Sequence, residues 1–136
     1  MRVFIDTNIL LDVVEQRTPH YADSLAVLER TGSKGDQVFM AWHTLANVFY
    51  IYGKKAGAVT ARKALQELLQ VVTVATVGHA QAVHAFTLGF SDMEDALQAV
   101  AAEACSADCI VTRNAPDFAT SPVRVLTPVQ FLTQHP

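Results

Sequence analysis

The feature that most constrains this chain is an alternation that runs its whole length. Short, β-branched apolar runs take turns with stretches of helical periodicity. Val3-Phe4-Ile5, Val38-Phe39-Met40, Val71 to Val77, Cys109-Ile110-Val111 and Val123 to Leu126 read as five buried strands. Leu10, Leu11 and Val14 mark a first helix. Thr18-Pro19, an N-cap followed by proline at the first helical position, opens a second that carries Tyr21, Leu25 and Leu28 and stops at Gly32 and Gly35. Leu45, Val48, Phe49 and Tyr52 form a helical stripe that Gly53 and Gly57 break, and Leu65, Leu68 and Leu69 mark another helix. A weaker helix is predicted from Gly78 to Phe90. Ser91 with Glu94 has capping-box form and opens an Ala-rich helix to about Cys105, and Thr127-Pro128 caps a terminal helix. This order predicts an α/β fold, a mostly parallel sheet with helices on both faces and right-handed crossovers. No repeat, linker or low-complexity segment divides residues 1–136, so one domain is expected.

Composition narrows the function classes. Hydrophobic residues make up 51% and charged residues 17%, which argues against disorder. Lys+Arg minus Asp+Glu is 10 − 13 = −3, so bulk charge does not attract polyanions. Cys105 and Cys109 have no framework of partners and read as small apolar residues rather than staples. The N-terminal apolar run is too short for a signal peptide and no stretch approaches a membrane span, so a soluble cytoplasmic protein is expected.

In open α/β sheets, ligands sit beyond the carboxyl ends of the strands. Asp6-Thr7-Asn8 follows the first strand. Thr112-Arg113-Asn114 follows the fourth, with Asp117 three residues on, and Asp92, Glu94 and Asp95 open the Ala-rich helix. Three distant segments can therefore bring carboxylates to one edge. Gathered carboxylates repel unless a cation compensates them. A hard divalent ion such as Mg²⁺ or Mn²⁺ takes oxygen ligands, activates water and clamps a phosphodiester. On spacing alone Asp6 reads equally as a ligand or a turn cap. Glu94 is explained by its position after Ser91, and Asp92 stays open between cap and ligand.

These segments carry a resemblance. Phe4-Ile5-Asp6-Thr7-Asn8-Ile9-Leu10-Leu11-Asp12 resembles the opening of PIN-domain proteins. Asp92-Met93-Glu94-Asp95-Ala96-Leu97-Gln98-Ala99 is similar to their central acidic helix start. Ile110-Val111-Thr112-Arg113-Asn114-Ala115-Pro116-Asp117-Phe118 is similar to their late strand and loop. Leu126-Thr127-Pro128 with Phe131-Leu132 resembles their tail. The resemblance implies a three-layer α/β/α sandwich, Mg²⁺ or Mn²⁺, an RNA substrate, frequent homodimers and, in small bacterial members, VapC-type toxins paired with an antitoxin. It makes Asp6, Asp95 and Asp117 the catalytic metal ligands, with Thr112 and Asn114 as polar helpers of the loop.

The departure is Asn47, which stands where the family usually has Glu. Asn coordinates only through a neutral carbonyl oxygen. Asp92, one helical turn from Asp95, is the auxiliary acid that could supply the missing charge. A PIN subgroup with Asn at this place carries an Arg-x-Pro-His segment near its start, and Arg17-Thr18-Pro19-His20 fits it. Arg17 and Arg113 are the expected substrate-binding residues, and an antitoxin segment could also occupy Arg113. Lys54, Lys55, Arg62 and Lys63 read as a solvated helical surface or as a phosphate-tracking patch beside the acidic pocket. Trp42 reads as core or interface, and His20 and His43 lie near the expected cleft.

Three functions compete. The first is a metal-dependent endoribonuclease, the toxin of a toxin–antitoxin pair. The second is a PIN fold that binds RNA or a protein without cleaving, for which Asn47 speaks. The third is a phosphohydrolase with Asp6 as nucleophile, which ranks behind because Asn8 stands where a second Asp is needed and no Lys follows the fourth strand.

Overall fold

A computed structural model describes all of residues 1–136. Five strands run in chain order: β1 (Arg2–Ile5), β2 (Gln37–Met40), β3 (Thr73–Val74), β4 (Cys109–Val111) and β5 (Val125–Leu126). They form one sheet in the order β3-β2-β1-β4-β5, with every neighbouring pair parallel. The helices are α1 (Thr7–Glu15), α2 (Tyr21–Lys34), α3 (Trp42–Ala56), α4 (Ala58–Val71), α5 (His79–Ala85), α6 (Met93–Ala104) and α7 (Pro128–Gln134).

Strand side chains alternate between faces, and here both faces are covered. Val3, Ile5, Val38, Met40, Cys109 and Val111 point to one side, where they pack with Ile9 and Leu10 of α1, Val27 of α2, Leu68 of α4 and Phe131 of α7. Phe4, Phe39 and Ile110 point to the other, against Ala99, Ala101 and Ala102 of α6 and against Phe118. The small alanines of α6 let that helix approach the sheet closely. The result is the three-layer α/β/α sandwich expected. Phe4, Phe118 and Phe131 are almost fully buried, each contributing about 1.5–3 kcal/mol of transfer free energy.

Several boundaries differ from the sequence expectation. Helix α2 begins at Tyr21, after the Thr18-Pro19 turn, and it runs through Gly32 to end at Gly35, whose φ of 72° lets the chain turn in the left-handed region. Helix α3 runs through Gly53 and breaks only at Gly57. Val71 closes α4, so the third strand shrinks to Thr73–Val74, prolonged by a bond from Ala75 N–H to the Met40 carbonyl. Helix α5 covers only His79–Ala85. The Ser91–Glu94 box does not form: Asp92 is the N-cap of α6, and its carboxylate accepts from Asp95 N–H at 3.0 Å. The predicted cap of α7 does form, with Thr127 and Gln130 bonding reciprocally.

The strand order reverses at β1, which lies between β2 and β4. In open α/β sheets such a switch point is where ligands bind, beyond the carboxyl ends of the strands, here β1 and β4. Asp6 follows β1 there, and its N–H bonds to the Val111 carbonyl at 3.0 Å.

Candidate active site

Asp6 lies at the bottom of the crevice with 1% exposure. Both carboxylate oxygens accept a hydrogen bond. Gln98 Nε2 donates to Oδ1 at 2.8 Å, and Thr112 Oγ1 donates to Oδ2 at 2.6 Å. Neither donor is charged. The network extends outward: Gln98 Oε1 accepts from Thr7 N–H at 3.0 Å, the Thr7 and Thr44 hydroxyls bond at 2.9 Å, and Thr112 Oγ1 accepts from Asn114 N–H at 3.1 Å. Side chains from α6 and from the loop after β4 therefore fix the orientation of Asp6.

Asp95 is half-buried in the first turn of α6. Its carboxyl is pushed up to about 7, first by burial and then by the charges of Asp92, Asp6, Asp117 and Glu94. That coupling places five carboxylates from three parts of the chain in one electrostatic neighbourhood. Asp117 is exposed on a short 3₁₀ turn (Ala115–Phe118). Phe118 anchors that turn in the core, with its ring edge-on to Phe90 at 5.6 Å. His43, at the start of α3, feels the charges of two of these acids. Burial lowers its pKa while the charges of Glu94 and Asp6 oppose that, and its buried Nε2 has no hydrogen-bond partner.

The donor set suits a hard divalent cation: carboxylates from three parts of the chain that act on one another, and uncharged hydrogen bonds on Asp6. No three His, Cys, Asp or Glu side chains are gathered into a ligand cage.

A family model described as a PIN domain matches residues 2–115. This chain belongs to the PIN-domain family. No curated protein matches its sequence. Among solved structures it is similar to VapBC2 from Rickettsia felis bound to a promoter DNA fragment, with TM-score 0.74 and 19% identity over 93% of this chain and 98% of that one. It is also similar to VapBC-1 from nontypeable Haemophilus influenzae, with TM-score 0.72 and 17% identity over 95% and 99%. A third is Mycobacterium tuberculosis VapC20, a sarcin-ricin loop cleaving toxin, with TM-score 0.63 and 15% identity over 79% and 86%. At such identities the likeness concerns the fold.

In this PIN domain the other expected residues fall as follows. Asn47 is half-buried on α3, and Asn114 is exposed at the crevice. One oxygen of Asp92 serves as the cap of α6. Arg113 pairs with Asp12, Nε to Oδ2 at 2.8 Å and Nη2 to Oδ1 at 3.2 Å, so its guanidinium is engaged inside the protein. Arg17 donates to Glu15 at the far end of α1, about 13 Å along the helix axis from Asp6. The basic cluster flanks the α3–α4 turn. Lys55 approaches Glu15 at 3.7 Å, and Lys54 covers the Tyr50 ring at 4.3 Å. Lys54 lies 12 residues along α3 from Trp42, about 18 Å toward the other end of that helix. Trp42 is 69% exposed and not core. Cys105 and Cys109 are buried and unpaired, as expected of small apolar residues.

Sequence reasoning missed Gln98 and Asp12. Each is a fully buried polar residue on a helix face otherwise made of Leu, Ile, Val or Ala. That mismatch was the available signal.

Proposed function

We propose that this PIN-domain protein is a metal-dependent endoribonuclease that hydrolyses RNA phosphodiesters and acts as the toxin of a toxin–antitoxin pair. The observation that supports this most is the field at Asp95, where four other carboxylates press on one half-buried carboxyl. A fold seldom gathers so much uncompensated charge unless a site needs it. Asp6, Asp95 and Asp117 would hold the ion, Mg²⁺ or Mn²⁺, with Asn47 and Asp92 as auxiliary oxygens. When bound, such an ion activates water and neutralises charge on a phosphodiester.

The chain's own residues do the rest. Asp6 is fixed at the floor by its two donors. Asp117 and Asn114, exposed on the loop after β4, meet the substrate first. Asn114 can donate its side-chain amide to a phosphate oxygen, and Phe118 keeps that loop from swinging. Arg113, held by Asp12, braces the same loop from within.

An antitoxin partner agrees with the fold likeness to VapBC complexes. A groove of about 510 Å³ lies away from the crevice. It is lined by Val13, Val14, Leu25, Leu28, Tyr52 and Leu68, with Glu29 and Glu67 at its sides. An apolar segment flanked by basic residues would suit it. Exposed Val83 and Phe86 offer a surface for a second copy of the chain and so for a homodimer. No helix is long and apolar enough to cross a membrane, and a cytoplasmic location completes the reading.

The test is cleavage of a mixed single-stranded RNA pool by partner-free protein with Mg²⁺, with Mn²⁺ and with chelator. We expect metal-dependent cleavage that Asp95→Asn lowers by at least about 100-fold. No cleavage by folded protein under any metal would favour an RNA- or protein-binding PIN module instead, the reading that Asn47 supports.

A further inference from the structure

We propose that Gln98 is a positioning residue for metal binding at Asp6, an inference that rests on the metal-nuclease reading above. Gln98 is fully buried. A buried primary amide without partners costs several kcal/mol, so a purely structural role predicts that its neighbours simply absorb it. Its oxygen fits that description, because it satisfies Thr7 N–H, a helix-start donor that has no partner within α1. Its nitrogen does not. Nε2 donates at 2.8 Å to Oδ1 of Asp6, a carboxylate that the fold could have kept satisfied with a charged residue or with water.

The choice of amide has a chemical consequence. A guanidinium or ammonium at this place would hold Asp6 equally well and cancel its charge. The amide fixes the carboxylate plane and leaves the negative charge intact. Thr112 does the same to Oδ2 from the other side. Each oxygen keeps lone-pair capacity, and the two bonds determine where it points. Gln98 also lies three residues after Asp95, on the same side of α6. One rigid helix thus sets the spacing of Asp6 from Asp95. Residues that orient ligating carboxylates typically govern metal affinity by about 10–100-fold.

The probe is Mn²⁺ alone, titrated into metal-free protein and followed by calorimetry or by the electron paramagnetic resonance of free Mn²⁺. Gln98→Met removes both amide functions at near-constant volume. Gln98→Asn keeps an amide but ends one methylene short of Asp6, so it serves if the Met variant fails to fold. Thr44→Val is the structural control: it removes a bond of the same buried network, the one to the Thr7 hydroxyl, without touching Asp6. Thermal melting in chelator confirms that each variant is folded. We expect the Gln98 variants to lose about 10–100-fold in Mn²⁺ affinity and Thr44→Val to stay close to wild type. Folded Gln98 variants that bind within threefold of wild type overturn the inference. So does an equal loss in Thr44→Val, since affinity would then follow the integrity of the network. Asp6→Asn separates the two levels. If wild type binds and Asp6→Asn does not, the metal reading stands whatever Gln98 does. If wild type binds no Mn²⁺, both fall.

Discussion

Asp6 and Asp12 lie six residues apart, and both are essentially inaccessible to solvent, at 1% and 0% exposure. Their surroundings are opposite. Asp12 accepts two bonds from Arg113, at 2.8 and 3.2 Å, and one from Ser24 at 2.9 Å. It is a neutralised ion pair that ties α1, α2 and the loop after β4 together. Asp6 accepts two bonds from uncharged groups. The same loop serves both, because Thr112 turns to Asp6 and the next residue, Arg113, turns to Asp12. A buried acid with its own cation is complete and belongs to the scaffold. A buried acid with neutral donors is oriented but not neutralised, and that is the state in which a carboxylate can hold an external cation.

The comparison breaks most visibly if Asp12 loses its cation. Arg113→Met would leave Asp12 buried beside Ser24 alone. The expected loss is about 3–5 kcal/mol, seen as a lower midpoint in urea and a melting temperature lower by about 10 °C or more. Asp12→Asn in the same background should recover part of that loss, because the uncompensated charge is gone. If Arg113→Met costs less than about 1 kcal/mol, Arg113 is free for substrate or partner and the division of labour drawn here fails.

A second change sharpens the contrast from the other side. Asn47→Glu restores a carboxylate where the family usually has one. If the site's acids serve a cation, Mn²⁺ affinity should rise roughly tenfold, the effect of about 1–2 kcal/mol from one more close charge. The metal-free protein should melt lower. Unchanged affinity would place residue 47 outside the ion's reach.

Much of this was legible in the sequence, for physical reasons that differ by residue. The alternation of strand and helix patterns reports burial, so the parallel sheet and both helical layers followed from it. Asp6, Asp95 and Asp117 stood out as candidates because Asp6 immediately follows β1, Asp95 lies in the first turn of α6 and Asp117 lies on the loop after β4, where topology limits their placement. Asp92 was harder. Ser91 and Asp92 are both good caps, and only the path of the chain decides that Asp92 bonds Asp95 N–H. Gly32 and Gly53 looked like stops, but tertiary packing outweighs the roughly 1 kcal/mol that a helical glycine costs. The roles of Gln98 and Asp12 depend on partners 92 and 101 residues away, and no local pattern encodes such distances. The pairing of Arg113 with Asp12 was hidden for the same reason: its side-chain direction is a tertiary property.

The smallest effect concerns Asp95 and has a definite sign. Its carboxyl titrates at about 7 in the folded protein, raised by burial and by its acidic neighbours, against about 3.9 in an unfolded chain. The folded state therefore holds a proton that the unfolded state has released between these values. The stability this contributes is fully present below about pH 4 and is lost as pH rises through 7. Metal-free protein should accordingly be more stable at pH 5 than at pH 8 by its share. Asp95 is partly solvated, so screening reduces that share to about 1–2 kcal/mol. Thermal melts in chelator check this, and Asp95→Asn should flatten the profile and raise the melting temperature at pH 8. Divalent ion should act oppositely, because it binds the anionic form and stabilises most at pH 8. An acid-favoured profile that persists in Asp95→Asn would assign the proton to another group and remove the electrostatic argument for a cation at this end of α6. The case for a cation would then rest on Asp6, held by neutral donors from α6 and the loop after β4.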